Sequence, residues 1–550
     1  MAKTKPVYAF EEADSKKRML LGGKGAGLSE MTRLKLPVPP GFTITTEVCN
    51  KYYDNNKKLP KDLMPAVMKN IMKMEKKTGK KWNSTTNPLL VSVRSGAAIS
   101  MPGMMDTILN LGLNEKTVEG FAEQTKNPRF SWDSYRRFIQ LFGKVVFGVN
   151  DEKFDHVLDA AKNAQGVTDD SKLDVESLKT IVSEYKKICE THTKRKFPDA
   201  PKEQLELAIE AVFKSWMGER AVVYREKNGI TKDIANGTAV NVVTMVFGNM
   251  GDDSATGVVF TRNGHNGKKE LEGEYLINAQ GEDVVAGVRT GQNIELLKKD
   301  MPKSYKELHS ACSRLEKHYK EPQDIEFTVE QGTFYLLQTR TAKMSASALV
   351  KTSVDMVKEK LINKDKALLR IPAQQLEALL HRTMDASKVK DFKQLAKGIA
   401  ASPGAASGIV VFDVKKTIEL GEEGKKIILV RKETKPEDVP AFFSAEGILT
   451  SLGGKSSHAA IVSRGMGKPC IVGCPELKID YDNNTCTANG ITIKEGDTIT
   501  IDGSEGTVFL GEIPTVEPKL IELFAEKLSI TKYAPSGLIT VISDSYTYLL

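Results

Sequence analysis

Residues 453–473 read GGKSSHAAIVSRGMGKPCIVG, which is a glycine turn followed by a short apolar helix pattern and a strand pattern. The two leading glycines permit a tight backbone turn, and Ser456 or Ser457 is placed to cap the helix. The stretch therefore predicts a loop, a helix and a strand in succession, with His458 in the first turn of the helix.

The position of His458 suits a phosphoryl carrier. A helix N-terminus presents free N–H groups and a partial positive charge, which favour a bound phosphate. The same field keeps an imidazole neutral, so that a ring nitrogen is free to act as a nucleophile. A capping or core histidine is the ordinary alternative. The glycine turn, the helix start and nearby Arg464 favour a histidine that accepts a phosphoryl group and later gives it away.

The N-terminal part supplies two candidates for a phosphate donor site. GGKGAG at 22–27 opens a helix, and its amides together with Lys24 are suited to holding phosphates. The segment matches neither G-x-x-x-x-G-K-[ST] nor G-x-G-x-x-G, so a glycine turn without a ligand is an equally good interpretation. A second small-residue loop follows a strand that ends at Arg94, whose guanidinium is suited to clamping a polyphosphate.

A third candidate is DIEFTVEQGTFYLLQTR, residues 324–340, which alternates as a β-hairpin does. Alternation places Asp324 and Glu326 on one face of the first strand and Gln338 and Arg340 on one face of the second. Carboxylates beside an arginine form a suitable floor for magnesium and phosphate. An ordinary half-exposed hairpin carries such charges as well, so the pattern alone leaves both interpretations open.

The patterns along the 550 residues predict an α/β and α+β protein of several domains. The segments in order are strands alternating with helices over the first hundred residues, helices over 113–235, strands over 236–340, charged helices over 345–395 with an interruption at Pro372, and strands alternating with short helices up to 513. ASPGAASG at 401–408 breaks the periodicity with small residues, which is typical of a hinge or of the entrance to a domain.

Composition argues against several classes of protein. No run of about 18 uncharged apolar residues occurs, and the N-terminus lacks the apolar core of a secretory signal. Six dispersed cysteines favour a reducing cytosol, so a cytoplasmic location is expected. The net charge of +8 is scattered, without an arginine-rich stripe that would indicate nucleic acid. Surface positions are predicted for the other histidines, which are His156, His192, His265, His309, His318 and His381.

Several stretches together resemble pyruvate, phosphate dikinase, from about residue 5 to about residue 513. The motifs are LLGGKGAGLSEM, LLVSVRSGAAISMPGMMDTILNLGL, NPRFSWDSYRRFIQ, GEYLINAQGEDVVAGVRT, DIEFTVEQGTFYLLQTR and GGKSSHAAIVSRGMGKPC. The related phosphoenolpyruvate synthases also combine a nucleotide domain with a carrier histidine. They lack the run SMPGMMDTILNLG and are therefore the second choice.

The resemblance implies an ATP-grasp nucleotide-binding domain at 1–344, with a mostly helical subdomain at 113–235. A helical linker at 345–395 and a swivelling phosphohistidine domain at 396–513 follow. Residues 514–550 are then a tail, the truncated start of a barrel region. A phosphohistidine side chain is too short to reach pockets in two domains, so the carrier domain is expected to swing.

The resemblance also implies a reaction. His458 attacks the β-phosphate of ATP, releasing AMP and forming a pyrophosphoryl-histidine. Inorganic phosphate then removes the outer group as pyrophosphate, and the phosphohistidine passes its group to pyruvate to form phosphoenolpyruvate. Mg²⁺ is the implied cofactor, and neither nucleic acid nor a membrane is an expected partner.

Matching motif positions assigns roles to further residues. Those implied to hold nucleotide or phosphate are Lys24, Arg94, Arg137, Thr256, Glu282 and Arg340. Those implied to hold magnesium are Glu326, Gln338 and Asp324. Ser456 keeps the hydroxyl that is a regulatory phosphorylation position in plant relatives.

The chain departs from the family pattern in two ways. The family usually has G-G-M-T-S-H, whereas residues 453–458 are GGKSSH, so that Lys455 adds a cation that either helps to hold a phosphate or faces solvent. The family also has a C-terminal (β/α)8 barrel that binds pyruvate and phosphoenolpyruvate, and the last residues do not resemble its start. A fragment, a reading-frame disruption and a separate barrel chain are equally compatible explanations. In each case we expect the ATP half-reaction without the pyruvate half-reaction.

Two alternatives remain beside a dikinase-like enzyme. A synthase-like enzyme would use water in place of phosphate as the acceptor. A non-catalytic nucleotide-binding scaffold would keep the fold without the chemistry, but a decayed site would be expected to have lost some of the residues assigned above.

Overall fold

The computed structural model describes residues 4–101, 105–285, 290–372, 383–385 and 388–516. These residues form two compact units. One unit contains the described residues up to Thr256 together with Ile277–Ala279 and Glu326–Thr339. The other contains Gly257–Leu276, Gln280–Ile325 and the described residues from Arg340 onward. Within the described part of the chain, no helix has the length and apolar character needed to cross a membrane.

The first sheet is antiparallel and packs against the helix that contains the glycine-rich segment 22–27. Its strands are β1 (Val7–Ala9), β2 (Gly41–Ile44), β3 (Val91–Ala97), β4 (Thr107–Leu111) and β5 (Thr238–Thr244), in the order β1-β2-β5-β3-β4. The helices beside it are α1 (Arg18–Arg33), α2 (Thr46–Asp54) and α3 (Leu63–Thr78). Every residue of β5 is buried, as expected for a strand in the middle of a sheet. The predicted alternation of strands and helices in this part is confirmed.

Residues 113–235 are helical, as predicted. The helices are α4 (Glu115–Thr125), α5 (Pro128–Phe147), α6 (Asp151–Gln165), α7 (Val175–Thr193), α8 (Pro201–Ser215) and α9 (Glu219–Lys227). Asn127 caps α5 by accepting a hydrogen bond from the Phe130 N–H, and the helix ends at Gly148, whose φ is 71°. The apolar face of α5 buries Phe138 and Phe142 completely, so tertiary packing stabilises this helix.

The second sheet contains the predicted hairpin. Its strands are β6 (Ala255–Phe260), β7 (Glu272–Ile277), β8 (Gln292–Asn293), β9 (Gln323–Glu330) and β10 (Thr333–Thr341), in the order β10-β9-β6-β7-β8. Three helices lie between these strands in the sequence, namely α10 (Gly281–Val285), α11 (Leu297–Asp300) and α12 (Pro302–Tyr319). The expectation that this whole segment consists of strands is wrong for α12. Leu308, Cys312 and Leu315 recur at helical spacing on its buried face.

Among the described residues of the predicted charged linker, the α-helices lie in its first part. Helices α13 (Ala346–Lys358) and α14 (Lys364–Leu369) confirm that part, and Pro372 follows them. Residues 373–382 lie outside the described part. From there the chain forms β11 (Thr383–Met384), which pairs with β23 (Thr515–Val516), so the expectation of helices up to 395 is wrong at this end. Of the predicted tail at 514–550, the residues from 517 also lie outside the described part.

Residues 394–510 form an eight-stranded mixed sheet and a small three-stranded one. The larger sheet contains β12 (Gln394–Lys397), β13 (Ile399–Ser402), β14 (Ala405–Val411), β15 (Ile427–Arg431), β16 (Gly447–Thr450), β17 (Cys470–Val472), β21 (Thr498–Asp502) and β22 (Thr507–Leu510), in the order β12-β22-β21-β14-β15-β16-β17-β13. The smaller sheet contains β18 (Lys478–Asp480), β19 (Thr485–Ala488) and β20 (Ile491–Lys494). The helices are α15 (Val414–Glu422), α16 (Val439–Ser444) and α17 (His458–Met466).

Four strands of the larger sheet run parallel, from β14 through β15 and β16 to β17. Helix α17 is the crossover between β16 and β17. The loop before α17 therefore leaves the carboxyl end of β16, and ligands of parallel sheets bind at such ends. Cys470 and Cys474 are free and buried in this region.

The segment ASPGAASG at 401–408 is not a loose hinge. Ala401 belongs to β13 and Ala405 begins β14, so a tight turn at Gly404, whose φ is 113°, joins two strands of the larger sheet. The Gly503 N–H donates to the Gly404 carbonyl at 2.8 Å, and the Gly404 N–H donates to Ser504 Oγ at 3.0 Å. The small residues therefore serve a bonded turn, which sequence periodicity cannot distinguish from a hinge.

Candidate functional site

The glycine-rich segment 22–27 of α1 lies directly against β3 and β5. Helix α1 is broken at Gly22, whose φ of 69° and ψ of 166° are not helical. A Cβ at Gly22 would lie 1.9 Å from the Gly96 carbonyl oxygen, and a Cβ at Gly25 would lie 2.7 Å from Asn241 Oδ1. Only glycine fits at both positions, and Lys24 lies half-buried between them. The sequence predicted the helix correctly, but the predicted loop at 22–27 is wrong, because within Arg18–Arg33 only Gly22 departs from helical geometry.

Arg94, Glu326 and Gln338 are brought together from three strands. Arg94 Nη2 lies 3.6 Å from Glu326 Oε2, and Gln338 Nε2 donates to Glu326 Oε1 at 3.0 Å. Arg94 lies within β3, which continues to Ala97 rather than ending at the arginine. Its Nε is buried and has no hydrogen-bond partner among the described residues. A buried donor without a partner is costly, and a phosphate oxygen is the kind of acceptor that would satisfy it.

Asp324 and Arg340 form a second charged pair at the base of the hairpin. Arg340 Nε donates to Asp324 Oδ2 at 2.6 Å, and the Asp324 side chain is only 4% exposed. Asp324 and Glu326 are two residues apart on β9, so their side chains lie on the same face, as predicted. Ile325 and Phe327 are fully buried on the opposite face.

Glu326, Gln338 and Asp324 suit a magnesium ion. Carboxylate and amide oxygens are the ligands that this hard cation prefers, and it is usually held by one or two carboxylates together with substrate phosphates. Gln338 presents its Nε2 to Glu326, so its amide would have to turn to offer the oxygen. Among the described residues, no three His, Cys, Asp or Glu side chains form a metal site by themselves. This donor set therefore fits a magnesium ion that arrives with a nucleotide.

Arg137 lies on α5 in a buried charge network. Its guanidinium is 3.1 Å from Asp133 and 3.3 Å from Asp170. Arg136 contacts the same two aspartates. Burial opposes ionisation of Asp133, but the neighbouring guanidinium groups hold the pKa of that carboxyl well below its usual value. The structure thus pairs Arg137 with two carboxylates of its own helical region.

Thr256 and Glu282 were assigned to the nucleotide pocket. Thr256 is buried on β6, where its hydroxyl donates to the Phe327 carbonyl at 3.2 Å and lies 3.3 Å from Thr328 Oγ1. That hydroxyl is engaged within the sheet. Glu282 lies in α10, and its side chain is outside the described part of the structure.

His458 is the first residue of α17, as predicted. Ser457 is the N-cap residue, and its hydroxyl accepts a hydrogen bond from the Ala460 N–H. The ring lies 6.2 Å from that of Phe442, edge to face, and Nδ1 is 3.4 Å from Thr434 Oγ1. Nε2 is buried and has no partner among the described residues. Burial lowers the pKa of His458 to about 4, against the opposing charge of Glu437, so the ring is neutral at physiological pH.

Two carboxylates of β7 hold the loop before His458. Lys455 Nζ lies 3.1 Å from Glu272 Oε1, and the Lys455 N–H donates to Glu274 Oε1 at 3.2 Å. The Ser456 hydroxyl donates to Glu274 Oε2 at 3.5 Å. A Cβ at Gly454 would lie 2.0 Å from Glu274 Oε2, which explains the second glycine. Burial raises the pKa of the Glu274 carboxyl, against the hydrogen bonds from the loop.

Arg464 also contacts the backbone of the loop before His458. Its guanidinium donates to the Ala401 carbonyl at 3.0 Å and to the Lys455 carbonyl at 3.3 Å. It also lies over the ring of Phe260 at 5.6 Å. The sequence drew attention to Arg464 as a neighbour of the histidine, and the structure shows that it fixes the loop backbone.

The surface prediction is wrong for His265. His156, His192, His309 and His318 are exposed, whereas His265 is half-buried and 3.5 Å from Arg464. Burial, reinforced by the charges of Arg464 and Lys455, lowers the pKa of His265 to about 3. His381 lies outside the described residues.

Sequence reasoning also missed Glu272 and Glu274. Their spacing of two within LEGEYLI places both carboxylates on one face of a strand, and this was the available signal. That spacing does not reveal which segment contacts this face. The contact is made by the loop at Lys455, which is 181 residues after Glu274 in the sequence.

Comparison with known proteins identifies two families in the chain. Residues 18–61, 55–306 and 301–361 match the family described as "Pyruvate phosphate dikinase, AMP/ATP-binding domain". Residues 423–506 match the family described as "PEP-utilising enzyme, mobile domain". The second match includes the His458 loop and α17.

Curated relatives are similar over nearly the whole chain. Pyruvate, phosphate dikinase of Entamoeba histolytica is 53% identical over 516 residues, which cover 94% of this chain and 58% of the relative. The enzyme of Clostridium symbiosum is 49% identical, with 93% and 58% covered. A chloroplastic pyruvate, phosphate dikinase 1 of Arabidopsis thaliana is 47% identical, with 94% and 54% covered. The chain thus spans less than two thirds of the length of these relatives.

The expectation that this protein lacks the pyruvate half-reaction is not supported. One of the two matched domains is the mobile domain of PEP-utilising enzymes, and the relatives cover this chain almost completely.

Proposed function

The chain belongs to the pyruvate, phosphate dikinase family, and from this premise we propose that its ATP-binding part phosphorylates His458. In this proposal His458 carries the phosphoryl group onward for the interconversion of pyruvate and phosphoenolpyruvate. The observation that carries the proposal is the His458 ring itself. It is a neutral imidazole at a capped helix start, with Nδ1 near a hydroxyl and Nε2 without a partner among the described residues.

The chemistry at His458 follows from its two ring nitrogens. A proton on Nδ1, donated to Thr434 Oγ1, leaves the Nε2 lone pair free as the nucleophile. Nε2 forms a bond to the β-phosphorus of ATP, and the bond from that phosphorus to the oxygen of AMP breaks. Inorganic phosphate then attacks the outer phosphorus of the pyrophosphoryl-histidine, leaving pyrophosphate and a phosphohistidine.

Lys24, Arg94 and Arg340 are the proposed phosphate-holding residues, with Arg137 in an assisting role. The buried Nε of Arg94 supports this assignment, because a guanidinium donor without a partner is suited to an anion. Glu326, Gln338 and Asp324 are the proposed holders of Mg²⁺, which would neutralise charge on the phosphates. Thr256 and Glu282 remain the proposed lining of the nucleotide pocket.

Ser456 is the proposed regulatory position. Its hydroxyl lies 3.5 Å from a Glu274 carboxylate oxygen. A phosphate on Ser456 would bring two or nearly two negative charges against that carboxylate, and the repulsion would weaken the contacts of the loop with β7.

Labelling with [β-³²P]ATP and Mg²⁺ tests the proposal. We expect acid-labile label on the wild type and on the exposed-histidine control His309→Ala, and none on His458→Ala. Absence of label from the wild type would favour the scaffold alternative. Because the β-phosphorus stays on His458, the acceptor is identified with [γ-³²P]ATP, from which addition of inorganic phosphate should release labelled pyrophosphate only with a dikinase. Release of labelled inorganic phosphate into water would instead indicate a synthase-like acceptor.

A further inference from the structure

Lys455 has an ionic partner that is much more deeply buried than Lys455 itself. Its Nζ is 3.1 Å from Glu272 Oε1, and the Glu272 side chain is only 7% exposed whereas that of Lys455 is 35% exposed. Glu272 also accepts a hydrogen bond from the Gly264 N–H at 2.5 Å through its other oxygen. The carboxylate is therefore fixed, and the lysine side chain is free to turn toward solvent.

The backbone of Lys455 is held at both ends. Its N–H donates to Glu274 at 3.2 Å, and its carbonyl accepts from Arg464 at 3.3 Å. A reorientation of the long side chain would leave these contacts intact. Lys455 can thus change its ionic partner without a rearrangement of the loop.

The same loop places Lys455 near the reactive histidine. The Ser457 N–H donates to the Gly454 carbonyl at 2.9 Å, which closes a turn that contains Lys455 and Ser456. His458 follows at once as the first residue of α17. A flexible four-carbon stem on the turn can reach oxygens bound to the His458 ring.

We propose that Lys455 exchanges Glu272 for the phosphoryl group on His458. Without a phosphoryl group on His458, Lys455 pairs with Glu272, and when the group is present its ammonium pairs with the phosphoryl oxygens. A phosphoryl group offers more negative charge and more acceptor oxygens than a carboxylate, so it competes well for the ammonium. The inference rests on the proposed function and adds a phosphate-holding residue to it.

Departure of Lys455 leaves Glu272 within the electrostatic influence of the Arg464 guanidinium, although the two side chains do not form an ion pair. The Gly264 N–H also remains as a donor. The remaining hydrogen bond and the nearby positive charge therefore reduce the cost of leaving a buried carboxylate without its lysine.

The test measures the ratio of phosphorylated to unphosphorylated protein at equilibrium with ATP, phosphate, AMP, pyrophosphate and Mg²⁺. Lys455→Met keeps the aliphatic stem and should lower this ratio about two- to fivefold, the range of an ion pair of intermediate exposure. Glu272→Gln should raise it by a similar factor, because Lys455 loses its competing partner. The double variant should match Lys455→Met.

Lys425→Met is the matched control, since it removes a cation from an exposed pair with Glu423, 3.0 Å apart in the carrier region. Its ratio should equal that of the wild type. Thermal unfolding of each variant checks that it is folded. An unchanged ratio in Lys455→Met, or a lowered one in Glu272→Gln, would overturn the exchange. Absence of label from the wild type would instead contradict the proposed function.

Discussion

Thr434→Val tests the hydrogen bond to His458 most specifically, because it removes one hydroxyl and keeps the shape of the side chain. Thr434 is buried, and its Oγ1 lies 3.4 Å from His458 Nδ1. A neutral hydrogen bond contributes about 0.5–1.5 kcal/mol net, and this one is long. If its role is to hold Nδ1 as the protonated nitrogen, its loss should slow phosphorylation about two- to tenfold.

The assay is a single-turnover experiment with saturating [β-³²P]ATP, quenched at successive times. The rate of labelling should fall and the ATP concentration at half-saturation should not change, because Thr434 contacts the carrier and not the proposed nucleotide site. Thr417→Val is the control, since the buried Thr417 hydroxyl donates to the Asp413 carbonyl within α15 at 2.7 Å. An unchanged rate in Thr434→Val, or an equal loss in Thr417→Val, would refute the tautomer role.

Three further predictions concern the nucleotide site and the pH dependence. Gly25→Ala places a Cβ 2.7 Å from Asn241 Oδ1, so it should weaken ATP binding and reduce the free energy of unfolding by about 1–3 kcal/mol. Gly27→Ala is the control, because its Cβ would lie 3.4 Å from the nearest atom. An ATP titration and urea unfolding of both variants measure the difference. Arg94→Lys should lower the labelling rate about 10- to 100-fold, since an ammonium cannot replace the guanidinium fork, and a wild-type rate would contradict the phosphate role. Burial lowers the pKa of His458 from 6.5 to about 4. Between pH 4 and 6.5 the unfolded chain therefore binds more protons than the folded protein. The contribution of His458 to the free energy of unfolding is lost as the pH falls from 6.5 to 4. Urea unfolding of His458→Asn should therefore depend less on pH between 4 and 6.5 than that of the wild type, and identical slopes would contradict the burial of the neutral ring.

Local sequence patterns correctly predicted the features that depend on a single helix or strand. Period-two alternation placed Asp324 and Glu326 on one face of the strand, and the structure agrees, because Ile325 and Phe327 are buried on the other face. The cap at Ser457 was equally predictable, because a hydroxyl at the start of an apolar helix satisfies a free N–H. These features depend on residues close together in the sequence.

Contacts between distant segments could not be predicted in this way. Lys455 and Glu272 are 183 residues apart, and their pairing depends on how β7 and the loop before His458 pack together. His265 looks like an exposed loop residue in sequence, but Arg464 covers it. The turn at Gly404 was also not predictable from local pattern. Its small residues suggested a hinge, but hydrogen bonds fix them within the larger sheet.

The most direct test of the central claim is the position of the phosphoryl group on the protein. Phosphorus NMR of the chain after incubation with ATP, phosphate and Mg²⁺ distinguishes a phosphoramidate on Nε2 from one on Nδ1 and from a phosphoserine. We expect a single histidine phosphoramidate on Nε2 that is absent from His458→Ala. A signal from Nδ1, or from Ser456 alone, would contradict the assignment of the unpartnered Nε2 as the nucleophile.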